Sequence, residues 1–244
     1  MSTGKEAQGP RNADRDLAGI WAASTPLIVS LVCSVSFLIL FAWLSEEVFE
    51  GSAKHVDFVV RAKVHEFFSP ALTKFMLAMT FLGSIAFLAT LFAILVAVWL
   101  IRGMKRPAAW LAIAVGGSVI LDVSLKLAFH RARPVAFVGR APMTYSFPSG
   151  HALSSLCFYG VLAGLLCEWI ESAAGRWAVS MAAAVLILAI GLSRIYLGVH
   201  YPTDVLGGYV AAGAWVSTLL FVERAKRQAR IRAEQGPLRS KMPV

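Results

Sequence analysis

Three short segments of this 244-residue chain hold residue types that together could handle a phosphoryl group. The first runs from Lys126 through Arg133 to Pro134, the second is Pro148-Ser149-Gly150-His151, and the third carries Ser193-Arg194, His200 and Asp204. Lys126, Arg133 and Arg194 supply three permanent cations, two of them guanidiniums able to grip phosphate through paired donors. Ser149 and Gly150 stand where an apolar run begins. Free N–H groups at a helix N-terminus favour an anion there, and a glycine lets it come close to the backbone. Lys126 and Arg133 are two helical turns apart and share a face if their helix continues to Pro134.

His200 and Asp204 are four apart around Pro202, a residue tolerated in the first turn of a helix. A carboxylate at that spacing can accept from one imidazole nitrogen and leave the other free to attack. His200 therefore reads as a nucleophile, Asp204 as its partner, and His151 as the general acid that protonates the leaving alkoxide. Between Asp122 and Asp204 the other acids are Glu168 and Glu171, both expected at the far end of a span. With no carboxylate cluster to hold magnesium, neither a metal nor any other cofactor is expected.

These residues must be positioned by apolar helices. The chain is 58% hydrophobic and 15% charged, against about 25% charged in ordinary soluble domains. Spanning a bilayer takes about 20 apolar residues. Six segments approach that length, near 26–44, 75–101, 107–127, 152–170, 177–197 and 203–222. The sequence thus predicts an all-α, polytopic six-helix membrane bundle over 26–222. A polar N-terminus (1–25) precedes it and a basic tail (223–244) follows.

Residues 45–74 read either as an amphipathic helix lying in the interface between spans one and two or as a connector packed on the bundle. The first apolar run is long enough to remain as an anchor rather than a cleaved leader. Cys33, Cys157 and Cys167 show no paired spacing, so neither a disulfide nor a zinc site is indicated.

The net charge of +9 is unevenly spread, and much of it sits in the tail, which argues for a membrane surface and against nucleic acid. Six spans put both termini on one side, and that side holds fourteen of the 23 Lys and Arg residues. Both termini are therefore expected in the cytoplasm. All three chemistry-bearing segments then fall on the opposite face, which implies a substrate with a lipid tail.

On these residues the sequence resembles the type 2 phosphatidic acid phosphatases (lipid phosphate phosphatases), which share a core with vanadium haloperoxidases. The resemblance rests on a Lys and an Arg-Pro separated by six residues, on Pro-Ser-Gly-His, and on Ser-Arg followed by His and Asp. It covers roughly residues 75–222. It implies phosphate binding by Lys126, Arg133, Ser149, Gly150 and Arg194, a nucleophile at His200 partnered by Asp204, and a general acid at His151. It further implies a metal-independent hydrolase in a bacterial inner membrane, acting on a polyprenyl diphosphate, phosphatidylglycerol phosphate or phosphatidic acid, with the first favoured. Three alternatives remain: a lipid phosphotransferase with the same phosphohistidine, a haloperoxidase, and a transporter or channel using its intramembrane charges.

Several residues stand beside these motifs. Asp122 is expected to pair with Lys126. His130, Arg131 and Arg140 read as second-layer or headgroup contacts or as solvated loop charges. His55 and His65 read as surface residues, and Trp43, Trp99, Trp169 and Trp177 as interface-belt aromatics.

Overall fold

The computed structural model of the chain describes residues 10–140 and 142–239, and the side chains of 25–140 and 142–230. Among these residues the fold is all-α. The elements are α1 (Pro10–Glu50), α2 (Lys54–Glu66), α3 (Pro70–Leu82), α4 (Ile85–Ile101), α5 (Lys105–Phe129), α6 (Gly150–Ser155), α7 (Val161–Cys167), α8 (Ala173–Tyr196) and α9 (Pro202–Arg239). A π-helical turn, Leu156–Gly160, joins α6 to α7. Helix α1 already runs from Pro10, so much of the segment expected only as a polar N-terminus is its first turns; residues 1–9 lie outside the described region.

Among the described residues five helices are long and apolar enough to cross a membrane, and α3 with α4, bent by 47°, counts as a sixth when the pair is taken as one broken span. The sequence had suggested one long second span over 75–101. The break has a local cause: Gly83 closes α3, and Ser84 restarts the chain by accepting from Phe87 N at 3.3 Å. Ser69 caps α3 in the same way, with Pro70 as its first residue.

The interfacial helix exists as α2, shorter than the 45–74 segment because α1 extends to Glu50 and α3 begins at Pro70. Its Val56, Phe58 and Val59 are exposed, whereas Asp57 is wholly buried. The apolar face thus points away from the protein and one carboxylate points into it.

Packing follows the rules of helices in lipid, where small residues and interhelical hydrogen bonds hold the contacts. Leu153 of α6 and Cys157 of the π-helical turn pack on Ala211 and Ala212 of α9. Ser34 and Thr218 hydroxyls meet at 2.6 Å between α1 and α9, and Trp215 Nε1 donates to Ala114 O of α5 at 3.1 Å. Gly208 lets α9 come close to the start of α6: a Cβ there would stand 2.6 Å from Ser149 O. Trp43, Trp169 and Trp177 are exposed, but Trp99 is buried in the core and meets Trp169 edge-on, which corrects its assignment to the interface. The three cysteines are free.

Candidate active site

The three motif segments converge at one end of the bundle around a cavity of about 580 Å³. Lys126, Arg133, Gly150, His151, Arg194 and His200 all line it. Its remaining wall is largely apolar, with Ile85, Val119, Val123 and Leu127 among the side chains. Val119, Val123 and Leu127 are also exposed on the outside of the bundle, so the polar end of the cavity adjoins surface that faces lipid.

Lys126 reaches the cavity from the last turn of α5, where its Nζ donates to Asp122 at 2.5 and 2.7 Å, the expected pair. Arg133 arrives by a different route from the expected one. Helix α5 stops at Phe129, because His130 takes a left-handed conformation (φ 48°) and its N–H closes on Lys126 O. Arg133 therefore lies in the following loop, held by Thr144 O at 2.7 Å, Thr144 Oγ1 at 3.0 Å and Val199 O at 3.1 Å.

Ser149 occupies the N-cap position of α6 yet makes no capping hydrogen bond, and its Oγ is buried without a partner among the described residues. Its N–H is anchored to Asp204 O at 2.8 Å. A Cβ on Gly150 would sit 2.7 Å from Asp122 Oδ1 and 3.0 Å from Lys126 Nζ, so only glycine leaves that pair its place. Arg194, buried near the end of α8, donates through Nη1 to Thr80 Oγ1, while its Nε is a second buried donor without a partner among the described residues. Buried polar groups are ordinarily satisfied. One orphan is on Arg194, which lines the cavity, and the other on Ser149, which does not line it but precedes Gly150, which does; with three lining cations they form a set able to hold an anion.

His200 lies in the turn before α9 and is almost wholly buried. Its Nδ1 is 3.3 Å from Asp204 Oδ2, and its Nε2 is 2.8 Å from Arg133 Nη1. A guanidinium has only donors to offer, so Nε2 must be the accepting nitrogen and Nδ1 carries the proton toward Asp204. Burial pushes the imidazole down to about 4, against the upward pull of the Asp204 carboxylate. The ring is thus neutral, with its Nε2 lone pair directed at the cation that would hold a phosphate.

Asp204 is wholly buried in the first turn of α9. Besides His200 it accepts from Tyr201 N at 2.8 Å, Ser146 Oγ, and Arg131 Nη1 at 2.6 Å. Arg131 also pairs with Asp57 of α2 at 2.6 Å. Nothing in the sequence motifs points to Asp57, and Arg131 is compatible there with a contact behind the site, a headgroup contact or a solvated charge. The available signal was an acid set directly between Val56 and Phe58 in α2. Arg140, His55 and His65 are exposed, although His65 stacks on Phe137. Among the described residues no three His, Cys, Asp or Glu side chains gather where one metal ion could be held.

A helical membrane bundle carrying this cation-and-histidine pocket defines a class. Residues 107–228 match the model of the PAP2 superfamily, and the chain belongs to it; it is an integral-membrane phosphatase of that superfamily. It is 29% identical over 176 residues to phosphatidylglycerophosphatase B of Bacillus subtilis, covering 72% of this chain and 87% of that one. An undecaprenyl-diphosphatase of Sulfolobus acidocaldarius is 33% identical over 108 residues, 42% of this chain and 48% of that relative. The crystal structure of a transmembrane PAP2-type phosphatidylglycerolphosphate phosphatase from Bacillus subtilis superposes with a TM-score of 0.70 at 27% identity. That superposition covers 81% of this chain and 96% of the other.

Proposed function

We propose that this chain hydrolyses a lipid phosphate or diphosphate through a phosphohistidine formed on His200 Nε2. The observation that carries the reading is the hydrogen bond of 2.8 Å between Arg133 Nη1 and His200 Nε2, with Nδ1 facing Asp204. It supports a neutral imidazole whose attacking lone pair lies beside a phosphate-binding guanidinium. On binding, a phosphoryl group takes over Arg133 and receives Lys126, Arg194, Ser149 and the Gly150 N–H. The substrate enters as a monoanion and its phosphoryl proton passes to His151; Nε2 then attacks phosphorus, the P–O bond to the leaving group breaks, and His151 gives that proton to the departing oxygen. In the second step neutral His151 takes a proton from water as the water oxygen attacks phosphorus and the P–N bond breaks. The negative charge developing on the phosphoryl oxygens is met by fixed donors throughout. No step calls for a metal ion.

Lys105 and Lys126 lie at opposite ends of α5, 21 residues or roughly 31 Å apart. The first is at the end rich in Lys and Arg and the second in the cavity. We place that basic end, both termini and the 223–244 tail in the cytoplasm of a bacterial cell, with the active site on the other face of its inner membrane. The apolar cavity wall supports a substrate with a lipid tail. Phosphatidylglycerol phosphate and a polyprenyl diphosphate are the two candidates that the relatives' names favour, with phosphatidic acid the third.

The test is phosphate release by purified protein from those three lipids, with excess EDTA present. We expect release from at least one of them, abolished in His200→Ala. A strict magnesium requirement, or transfer of phosphate to a lipid acceptor without release, would overturn the reading.

A further inference from the structure

The proposed chemistry uses only one oxygen of Asp204, the Oδ2 that meets His200. Its other oxygen belongs to a second set of contacts reaching outside the matched motifs. Arg131 Nη1 donates to Asp204 Oδ1 at 2.6 Å and to Thr203 Oγ1 at 2.8 Å, and Arg131 Nη2 donates to Asp57 Oδ2 at 2.6 Å. The guanidinium also lies over the Tyr201 ring, 4.3 Å from its centroid. Asp57 in turn accepts from Thr203 N at 3.0 Å and from Thr203 Oγ1 at 2.7 Å. A fully buried carboxylate is costly unless charged and hydrogen-bonding partners surround it. Among the described residues, every partner of the Asp57 carboxylate is either Arg131 or the residue preceding Asp204.

We propose that Asp57 and Arg131 are positioning residues for the nucleophile, α2 acting through Arg131 to fix the carboxylate that orients His200; the proposal rests on the phosphohistidine reading. The geometry says why such a device is needed. Oδ2 of Asp204 is shared by three donors, Ser146 Oγ, Tyr201 N and His200 Nδ1. At 3.3 Å the His200 contact is the longest of them. A small rotation of the carboxylate would keep the first two and lose the histidine. Arg131 on Oδ1 resists that rotation, and Asp57 with Thr203 resists rotation of Arg131. The pair touches neither cavity nor substrate, because neither residue lines the cavity. Its effect must therefore fall on the attack step and leave phosphate binding intact.

The test compares wild type with Asp57→Asn, Arg131→Lys, Arg131→Met and the double variant Asp57→Asn/Arg131→Met. For each, kcat, KM, the vanadate inhibition constant and the rate of ³²P incorporation into protein are measured, with the thermal midpoint alongside. Asp57→Asn and Arg131→Met should lose about ten- to a hundredfold in kcat and in labelling rate, the range for groups that orient a reacting ligand from behind. KM and vanadate inhibition should stay within about threefold, since transition-state positioning and ground-state binding separate in this way. Arg131→Lys keeps the charge and should recover part of the loss. It also serves as the variant of record if Arg131→Met does not fold. Adding Asp57→Asn to Arg131→Met should cost less than about twofold more, because Asp57 acts through Arg131.

Unchanged kcat in the single variants, full additivity in the double variant, or vanadate binding that falls in step with kcat would each overturn the proposal. Absence of label from wild type would instead overturn the phosphohistidine reading and take this inference with it.

Discussion

Arg133 and His200 are hydrogen-bonded, Nη1 to Nε2 at 2.8 Å, and since arginine cannot accept, the bond fixes the histidine tautomer. In the proposed mechanism the nitrogen that attacks is held by the group that binds the phosphate. Substrate binding would then exchange that bond for one to a phosphoryl oxygen and release the lone pair as a phosphorus atom comes beside it. Asp204 on the other nitrogen keeps the ring from turning.

This arrangement predicts the protonation state of His200. Its pKa is lowered from the ordinary 6.5 to about 4 by burial, so in the folded protein the ring stays neutral down to about pH 5. ¹⁵N NMR of histidine-labelled protein in micelles should show Nε2 as the unprotonated nitrogen from about pH 7 to 5. A ring titrating near its ordinary 6.5 would contradict it. The linkage has a definite sign. Between pH 6.5 and about 4 the unfolded chain binds a proton that folded His200 does not, so its contribution to stability is present above 6.5 and is lost as pH falls through that window.

Ser149 offers a separable test of phosphate binding, because its hydroxyl is buried, unpartnered among the described residues and not a helix cap. Ser149→Ala should weaken vanadate inhibition by roughly ten- to a hundredfold, the worth of a hydrogen bond to a charged group at about 1.5–3 kcal/mol. The thermal midpoint should barely move. A large loss of stability with vanadate affinity retained would mean the hydroxyl is structural.

Gly150→Ala probes the close approach of the α6 backbone to the Asp122–Lys126 pair. The new Cβ would sit 2.7 Å from Asp122 Oδ1 and 3.0 Å from Lys126 Nζ and must displace that ion pair. Activity on a lipid substrate should fall at least about tenfold, which corresponds to about 1.4 kcal/mol of transition-state binding. Full activity in Gly150→Ala would show that the position of Lys126 is unimportant.

The two histidines should respond differently to the leaving group. General acid catalysis contributes roughly 10²–10⁴-fold, and an aryl phosphate with a stable leaving group needs little of it. His151→Ala should therefore recover part of its loss on an activated aryl phosphate relative to a lipid monoester. His200→Ala should recover nothing on either. Equal losses for His151→Ala on both substrates would reject its role as proton donor.

Much of this was legible in the sequence because the motifs sit at span ends, where hydropathy and charge already bring them to one face. Lys126, Gly150, Arg194 and His200 line one cavity as their spacing suggested, and the Asp122–Lys126 pair follows from a four-residue interval. What was illegible depends on backbone geometry and distant packing. Periodicity carried Arg133 along α5, but the left-handed His130 ends that helix and delivers Arg133 from a loop. The second span breaks at Gly83–Ser84, a pair too short to disturb an apolar run of this length. Asp57 reaches Asp204 through Arg131 and Thr203, across 147 positions of sequence. No local pattern on α2 says what lies over its buried side.

The most direct measurement of the central claim is covalent labelling. Protein is mixed with a ³²P-labelled activated aryl phosphate, quenched within milliseconds in alkaline detergent, where a phosphohistidine survives, and counted after gel separation. The account predicts label on wild type, enhanced label on a slow-turnover His151→Ala, and none on His200→Ala, with the wild-type label lost on brief acid treatment. Label retained by His200→Ala, or label on wild type that withstands acid, would contradict it.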